Sequence, residues 1–166
     1  MSYLRSLEPD AGLLQIFQAF PEIARPLLQY HEALLRGESP FSPGERELIA
    51  AYVSDLNMSL LPCRSFTNSS RAWDRGEHDC RDAFELAVRI CWSKNPAGTR
   101  FCAIFEAGWT DRALHDAAAI CGLFNLMNRL VDGLGIEASE AYTKIAAQRL
   151  AEQGYAQLAD LLPQPK

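Results

Sequence analysis

Glu47-Leu-Ile-Ala-Ala-Tyr-Val-Ser-Asp-Leu-Asn57 is the stretch whose reading decides the fold. Its apolar residues return at intervals of three and four, the period of a helix and not of a strand. Just upstream, Ser42-Pro-Gly-Glu45 combines an N-cap serine, a proline at the first helical position and a glutamate three residues after the cap. That is a capping box, so a helix starts here and is expected to run to about Leu56. On its wheel Leu48, Tyr52, Val53 and Leu56 form the apolar stripe. Glu47 lies opposite, and periodicity alone turns it to solvent.

The same spacing extends in both directions. Upstream, Leu13 to Ala19 and Pro21 to Leu35 read as helices, the second with a stripe through Ile23, Pro26 or Leu27, Tyr30 and Leu34, closed by Gly37. Downstream, Asn57 to Glu77 carries Pro62, Gly76 and the polar tract Thr67-Asn-Ser-Ser70, which is expected to be a loop with at most a short helix. Cys80 to Ser93 and Thr99 to Ala107 return to helical spacing across the turn Asn95-Pro-Ala-Gly98. Thr110 or Asp111 caps an apolar element from Arg112 to about Leu134, nonpolar on every side between Ala117 and Phe124 and so expected in the centre of a bundle. Glu137 to Leu162 reads as one last amphipathic helix ended by Pro163 and Pro165. The expected architecture is all-α, about six to eight helices in one domain over 1–166.

Composition narrows the function classes. With 48% hydrophobic and 22% charged residues the chain has the balance of a globule able to bury a core without staples. A net charge of -5 and no basic patch argue against nucleic acid. Asn125 breaks the longest apolar stretch, and Met1 to Asp10 has no apolar core of signal-peptide length, so no membrane contact and a cytoplasmic location are expected. The cysteines at 63, 80, 91, 102 and 121 are odd in number and show no paired spacing, which fits buried free thiols.

The helix from Glu47 to Asn57, with its order of Glu, Val-Ser and Asn, resembles the one preceding the active site in the alkylhydroperoxidase D-like and carboxymuconolactone decarboxylase family. Ala107-Gly-Trp-Thr-Asp111 and Leu123-Phe-Asn-Leu-Met-Asn-Arg-Leu-Val-Asp-Gly-Leu-Gly135 look like the C-terminal stretch of its peroxidase-related subgroup. The resemblance runs from about residue 27 to 136. It implies an all-helical subunit that assembles into trimers or hexamers and, in active members, reduces organic peroxides as an antioxidant oxidoreductase. In those members a Cys-x-x-Cys pair and a histidine follow the Asn: one thiolate attacks the peroxide, the second cysteine resolves the sulfenic acid, and His with Glu manages protons.

Laid on this chain without gaps, the family's Glu falls on Glu47, its cysteines on Ser59 and Pro62 and its histidine on Phe66. Sliding the frame by one recovers Cys63 but puts Thr67 at the histidine. A serine cannot cycle through a disulfide and a proline has no side-chain donor, so the two-thiol mechanism has no residues to run on. The resemblance also turns Glu47 inward, as a base if burial raises its pKa. Cys63, beside Arg64, is a candidate lone thiol, and Ser59 a weaker candidate nucleophile with no histidine nearby in sequence. His31 and His115 either lie on helix surfaces or face a cavity, where His31 with Glu47 would make an acid/base pair. His78-Asp-Cys80 with Cys63 lacks a Cys-x-x-Cys half-site, so no metal and no cofactor are expected. Arg129 and Asp132 are expected to pair within their helix or at a subunit interface. The functional expectation is an oligomeric scaffold with a small-molecule pocket. Its alternatives are a decarboxylase-like acid/base enzyme using Glu47 and a one-cysteine peroxidase using Cys63.

Overall fold

A computed structural model gives the fold and describes residues 2–57, 105, 108–137 and 140–164. The described residues form helices and no strand: α1 (Leu13–Ala19), α2 (Pro21–Arg36), α3 (Pro43–Leu56), α4 (Asp111–Gly133), α5 (Glu140–Gln153) and α6 (Ala156–Asp160). The helices expected over Cys80 to Ser93 and Thr99 to Ala107 fall outside them, apart from Phe105. So does the loop following Asn57.

Local chemistry sets the ends of these helices. The Ser42 backbone N–H donates to Glu45 Oε2 at 2.7 Å and the Glu45 N–H to Ser42 Oγ at 3.3 Å, the capping box read from sequence. Thr110 Oγ1 accepts from the Ala113 N–H at 3.2 Å and starts α4. Gly37 closes α2 in an ordinary conformation, φ -67°, instead of the left-handed one. Glycine is required there because a Cβ would run into the Ala33 carbonyl.

Arg46 joins α2 to α3. Although it is buried, its Nη1 donates to the carbonyls of Leu34 at 2.9 Å and Gly37 at 2.8 Å, and its Nε reaches the Ser42 carbonyl at 3.4 Å. A helix C-terminus leaves carbonyls without partners, so the guanidinium finds acceptors where a carboxylate would otherwise be needed. The core then packs α3 along α4 in the same direction. Phe41 and Trp109 meet at one end, ring centroids 5.2 Å apart, and Asn57 meets Asn125 further along. Leu28, Leu35, Ile49, Val53, Ile120 and Phe124 are fully buried between α2, α3 and α4. Ile16, Val131 and Ile136 form a second cluster under α1.

Four expected features are corrected. In α2 the buried face is Ala24, Leu28, His31, Leu34 and Leu35, while Ile23 and Tyr30 are exposed. In α3 the buried face takes in Arg46, Glu47, Ile49, Ala50, Val53 and Ser54, leaving Leu48 and Tyr52 half-buried. The wheel assigns charged and polar residues to water, whereas here their partners are inside: His31 bonds its own helix and Ser54 Oγ donates to the Ala50 carbonyl at 3.0 Å. The last helix is two, broken at Gly154, where φ is +69°. Finally, α4 buries only one face, and Ala118 and Gly122 are exposed, small enough to cost little in water.

Candidate functional site

Glu47 sits in the second turn of α3, and its placement follows from the capping box that fixes where that helix begins. Only 2% of its surface is exposed. Arg36, at the end of α2, puts Nη2 2.7 Å from Glu47 Oε1. The hydroxyl of Tyr155, at the junction of α5 and α6, donates to the same oxygen at 3.4 Å. The other oxygen, Oε2, is buried and has no hydrogen-bond partner among the described residues. Within them, the anchoring of this carboxyl is on one side.

Burial raises the Glu47 pKa above its ordinary value near 4.5, and Arg36, by charge and hydrogen bond, opposes the shift without cancelling it. The magnitudes agree in sense. An ion pair near 4 Å contributes about 4 kcal/mol at an effective dielectric of about 20. Withdrawing a carboxylate from water costs several kcal/mol. Tyr155 is pushed well above 10.0 by burial and by the neighbouring Glu47 charge, and so stays a neutral phenol.

His31 completes the cluster from α2. Its ring lies 5.1 Å from the Tyr155 ring and 6.2 Å, edge-on, from Phe124. Burial lowers its pKa, with a smaller opposing effect from the Leu27 carbonyl, so the imidazole is neutral at pH 7. Nδ1 is 2.8 Å from that carbonyl. A carbonyl only accepts, so Nδ1 carries the hydrogen and Nε2 keeps the lone pair. Chemically the cluster holds the Arg36 cation with Arg46 close by, a neutral phenol, a neutral imidazole with a basic nitrogen, and a carboxyl with one oxygen unengaged among the described residues. It can exchange a proton or receive a polar ligand group.

The sequence-derived candidates divide sharply. His31 and Glu47 are brought together around Tyr155. His115 is not with them: its side chain is 73% exposed, and Nδ1 lies 3.0 Å from Asp116 Oδ1. It occupies the outer side of α4 because Asp116 turns inward, leaving the adjacent position facing water. Ser59 and Cys63 lie outside the described residues, as do His78 and Cys80. Cys121 is buried in the core. Arg129 donates to Asn57 Oδ1 at 3.2 Å, bridging α4 to the end of α3.

Arg36, Glu32 and Tyr155 were missed in sequence. The available signal for Tyr155 was Gly154, a glycine inside a helical pattern. There Glu32 Oε2 accepts from the N–H groups of Tyr155 at 2.6 Å and Ala156 at 3.1 Å. The left-handed glycine lets the chain present both donors to one carboxylate. Among the described residues no cluster of His, Cys, Asp and Glu could hold a metal, and no helix is long and apolar enough to cross a membrane. A groove of 280 Å³ between α5 and α6 is lined by Arg149, Leu150, Gln153 and Gln157 among others, and by none of the Glu47 cluster.

Two solved structures share this fold. An uncharacterized peroxidase-related protein from Ralstonia eutropha, described as an alkylhydroperoxidase AhpD core, superposes with a TM-score of 0.60 and 23% identity, over 77% of this chain and 76% of that one. An uncharacterized peroxidase-related protein from a Silicibacter species gives 0.61 and 18%, over 86% and 94%. No family model and no curated protein matches the sequence. At these identities the likeness establishes the alkylhydroperoxidase D core fold.

Proposed function

We propose that this chain is a diverged member of the alkylhydroperoxidase D-like family that has lost the two-thiol peroxidase centre and serves as an oligomeric scaffold with a small-molecule pocket. Three things support the reading. The fold is that of the alkylhydroperoxidase D core. Ser59 and Pro62 stand where the gap-free frame requires the two cysteines. The family's carboxyl position, Glu47, is buried, and among the described residues its Oε2 has no partner.

That unpartnered oxygen carries the proposal. A buried acceptor without a partner costs about 1–3 kcal/mol, so a ligand hydroxyl or amide that reaches it recovers the deficit. Incubating the purified protein with tert-butyl hydroperoxide and dithiothreitol tests the lost chemistry. No peroxide consumption above the protein-free rate is expected. Consumption that disappears in Cys63→Ser would replace this reading with a one-cysteine peroxidase. Sedimentation should show a trimer or hexamer, and a monomer at micromolar concentration removes the scaffold.

A second reading, an acid/base enzyme of the decarboxylase type, is favoured by one observation: His31 and Glu47 both contact Tyr155, one with a basic nitrogen and the other with a poised carboxyl. Release of carbon dioxide from a lactone acid, lost in Glu47→Gln, would establish it. No release above background excludes it for that substrate.

A further inference from the structure

We propose that Tyr155 is a positioning residue for Glu47: together with Arg36 it donates to Oε1, and so favours Oε2 as the place of this carboxyl's exchangeable proton. The inference rests on Glu47 being the functional group of the proposed pocket, but it concerns where that group holds its proton and not what it binds.

Two donors share one oxygen. Arg36 Nη2 stands 2.7 Å from Oε1 and the Tyr155 hydroxyl 3.4 Å from it, while Oε2 has no partner among the described residues. An oxygen that already accepts from a guanidinium and a phenol is the poorer place for a proton, so the neutral acid carries its hydrogen on Oε2. A bond of 3.4 Å is too long to fix the phenol by itself. The ring is located by other means. It stacks on His31 at 5.1 Å, and the Arg36 guanidinium lies 5.3 Å from its centroid.

The backbone that delivers it is held by side chains of α1 and α2. Glu32 takes the Tyr155 and Ala156 N–H groups. Arg25 donates to the carbonyls of Ala159 at 3.2 Å and Pro163 at 3.0 Å, and Gln18 to that of Leu161 at 3.1 Å. The C-terminal segment is thus fastened by its main chain, and the phenol it carries inward is what touches Glu47. Among the described residues, the charged or titratable groups acting on Glu47 are Arg36 from α2, Arg46 beside it on α3, and Tyr155; His31 and Glu32 of α2 face Tyr155, and α4 contributes the uncharged ring of Phe124 against His31.

Infrared difference spectroscopy across a pH series, with Glu47→Gln subtracted to isolate the band, reads the carboxyl directly. In the wild type the protonated Glu47 carbonyl should absorb at low frequency, because Oε1 accepts two hydrogen bonds. In Tyr155→Phe, which keeps the ring and its stacking, the band should move to higher frequency and its titration midpoint should rise, since a group favouring the charged form is gone. Glu32→Ala, which unfastens the segment, should move both in the same direction by less. A stabilising ring alone would change the unfolding temperature of Tyr155→Phe and leave the band in place. Band and midpoint at wild-type positions in either variant overturn the proposal. Because no ligand enters the measurement, failure to find a small molecule would sink the proposed function and leave this result standing.

Discussion

Glu47 and Asp116 are two carboxylates with the same 2% exposure, each facing an arginine, and they respond in opposite ways. Burial pushes Glu47 up and Arg36 does not bring it back. Burial also pushes Asp116 up, but hydrogen bonds from His115, Ser39 and Arg112 outweigh it and hold the group below its usual 3.8. The difference is in the second oxygen. Asp116 Oδ1 takes His115 at 3.0 Å and Arg112 Nε at 2.9 Å, and Oδ2 takes Ser39 Oγ at 2.7 Å and the same Nε at 2.9 Å. Both oxygens are engaged, and the arginine and histidine that engage them reach water. Among the described residues Glu47 has one oxygen engaged, and the Arg36 that engages it is far less exposed than Arg112 or His115. A carboxylate satisfied on both sides is a fastening between helices, whereas one satisfied on a single side retains the capacity for chemistry.

Removing the arginines' partners, or the arginine itself, sharpens the contrast. Arg36→Met leaves Glu47 buried without its cation and should cost about 3–5 kcal/mol in denaturant unfolding at pH 8. The loss should shrink on acidification, as Glu47 takes up a proton; a cost independent of pH would show that Arg36 acts through packing alone. Asp116→Asn should cost about 1–3 kcal/mol, because Arg112, His115 and Ser39 lose their anion.

The pH dependences have opposite signs. A carboxyl raised in the folded state binds more protons folded than unfolded. The Glu47 contribution is therefore most favourable below its ordinary value near 4.5 and declines as pH rises through the folded value. Asp116, depressed when folded, stabilises above 3.8 and loses that contribution as pH falls through its folded value. Comparing wild type with Glu47→Gln and with Asp116→Asn from pH 3 to 8 should give differences sloping in opposite directions. Parallel slopes would erase the distinction between the two sites.

Two smaller effects bracket the comparison. Gly154→Ala, at φ +69° and with the Glu32 carboxylate 2.8 Å from the added carbon, should cost about 1–2 kcal/mol and lower the thermal midpoint. His115→Ala should change stability by no more than about 0.5 kcal/mol, since that side chain is mostly in water. A larger loss there would mean that Asp116 depends on its histidine.

Much of this was legible in the sequence, and the failures share a cause. Ser42 and Glu45 announced α3, and Thr110 announced α4, because a cap is a local bond between neighbours in the chain. The faces of α2 and α3 were misjudged because a wheel weighs each residue singly, and the burial of Glu47 depends on Arg36 and Tyr155, the latter 108 positions away. His31 and Glu47 could be nominated but not joined, since the ring that joins them arrives from beyond Gly154. His115 was nominated with equal force and lies in water. Ser59 and Cys63 lie outside the described residues and remain expectations of the sequence.

Arg46 binds the last carbonyls of α2 and the first turn of α3 with one guanidinium. Neither helix end can fray alone without stranding a buried cation, so the corner must open as a unit. The amides of Gly37 and Arg46, which donate to Ala33 and Ser42, should then exchange with deuterium in a single event, with one rate and one denaturant dependence, though nine residues separate them.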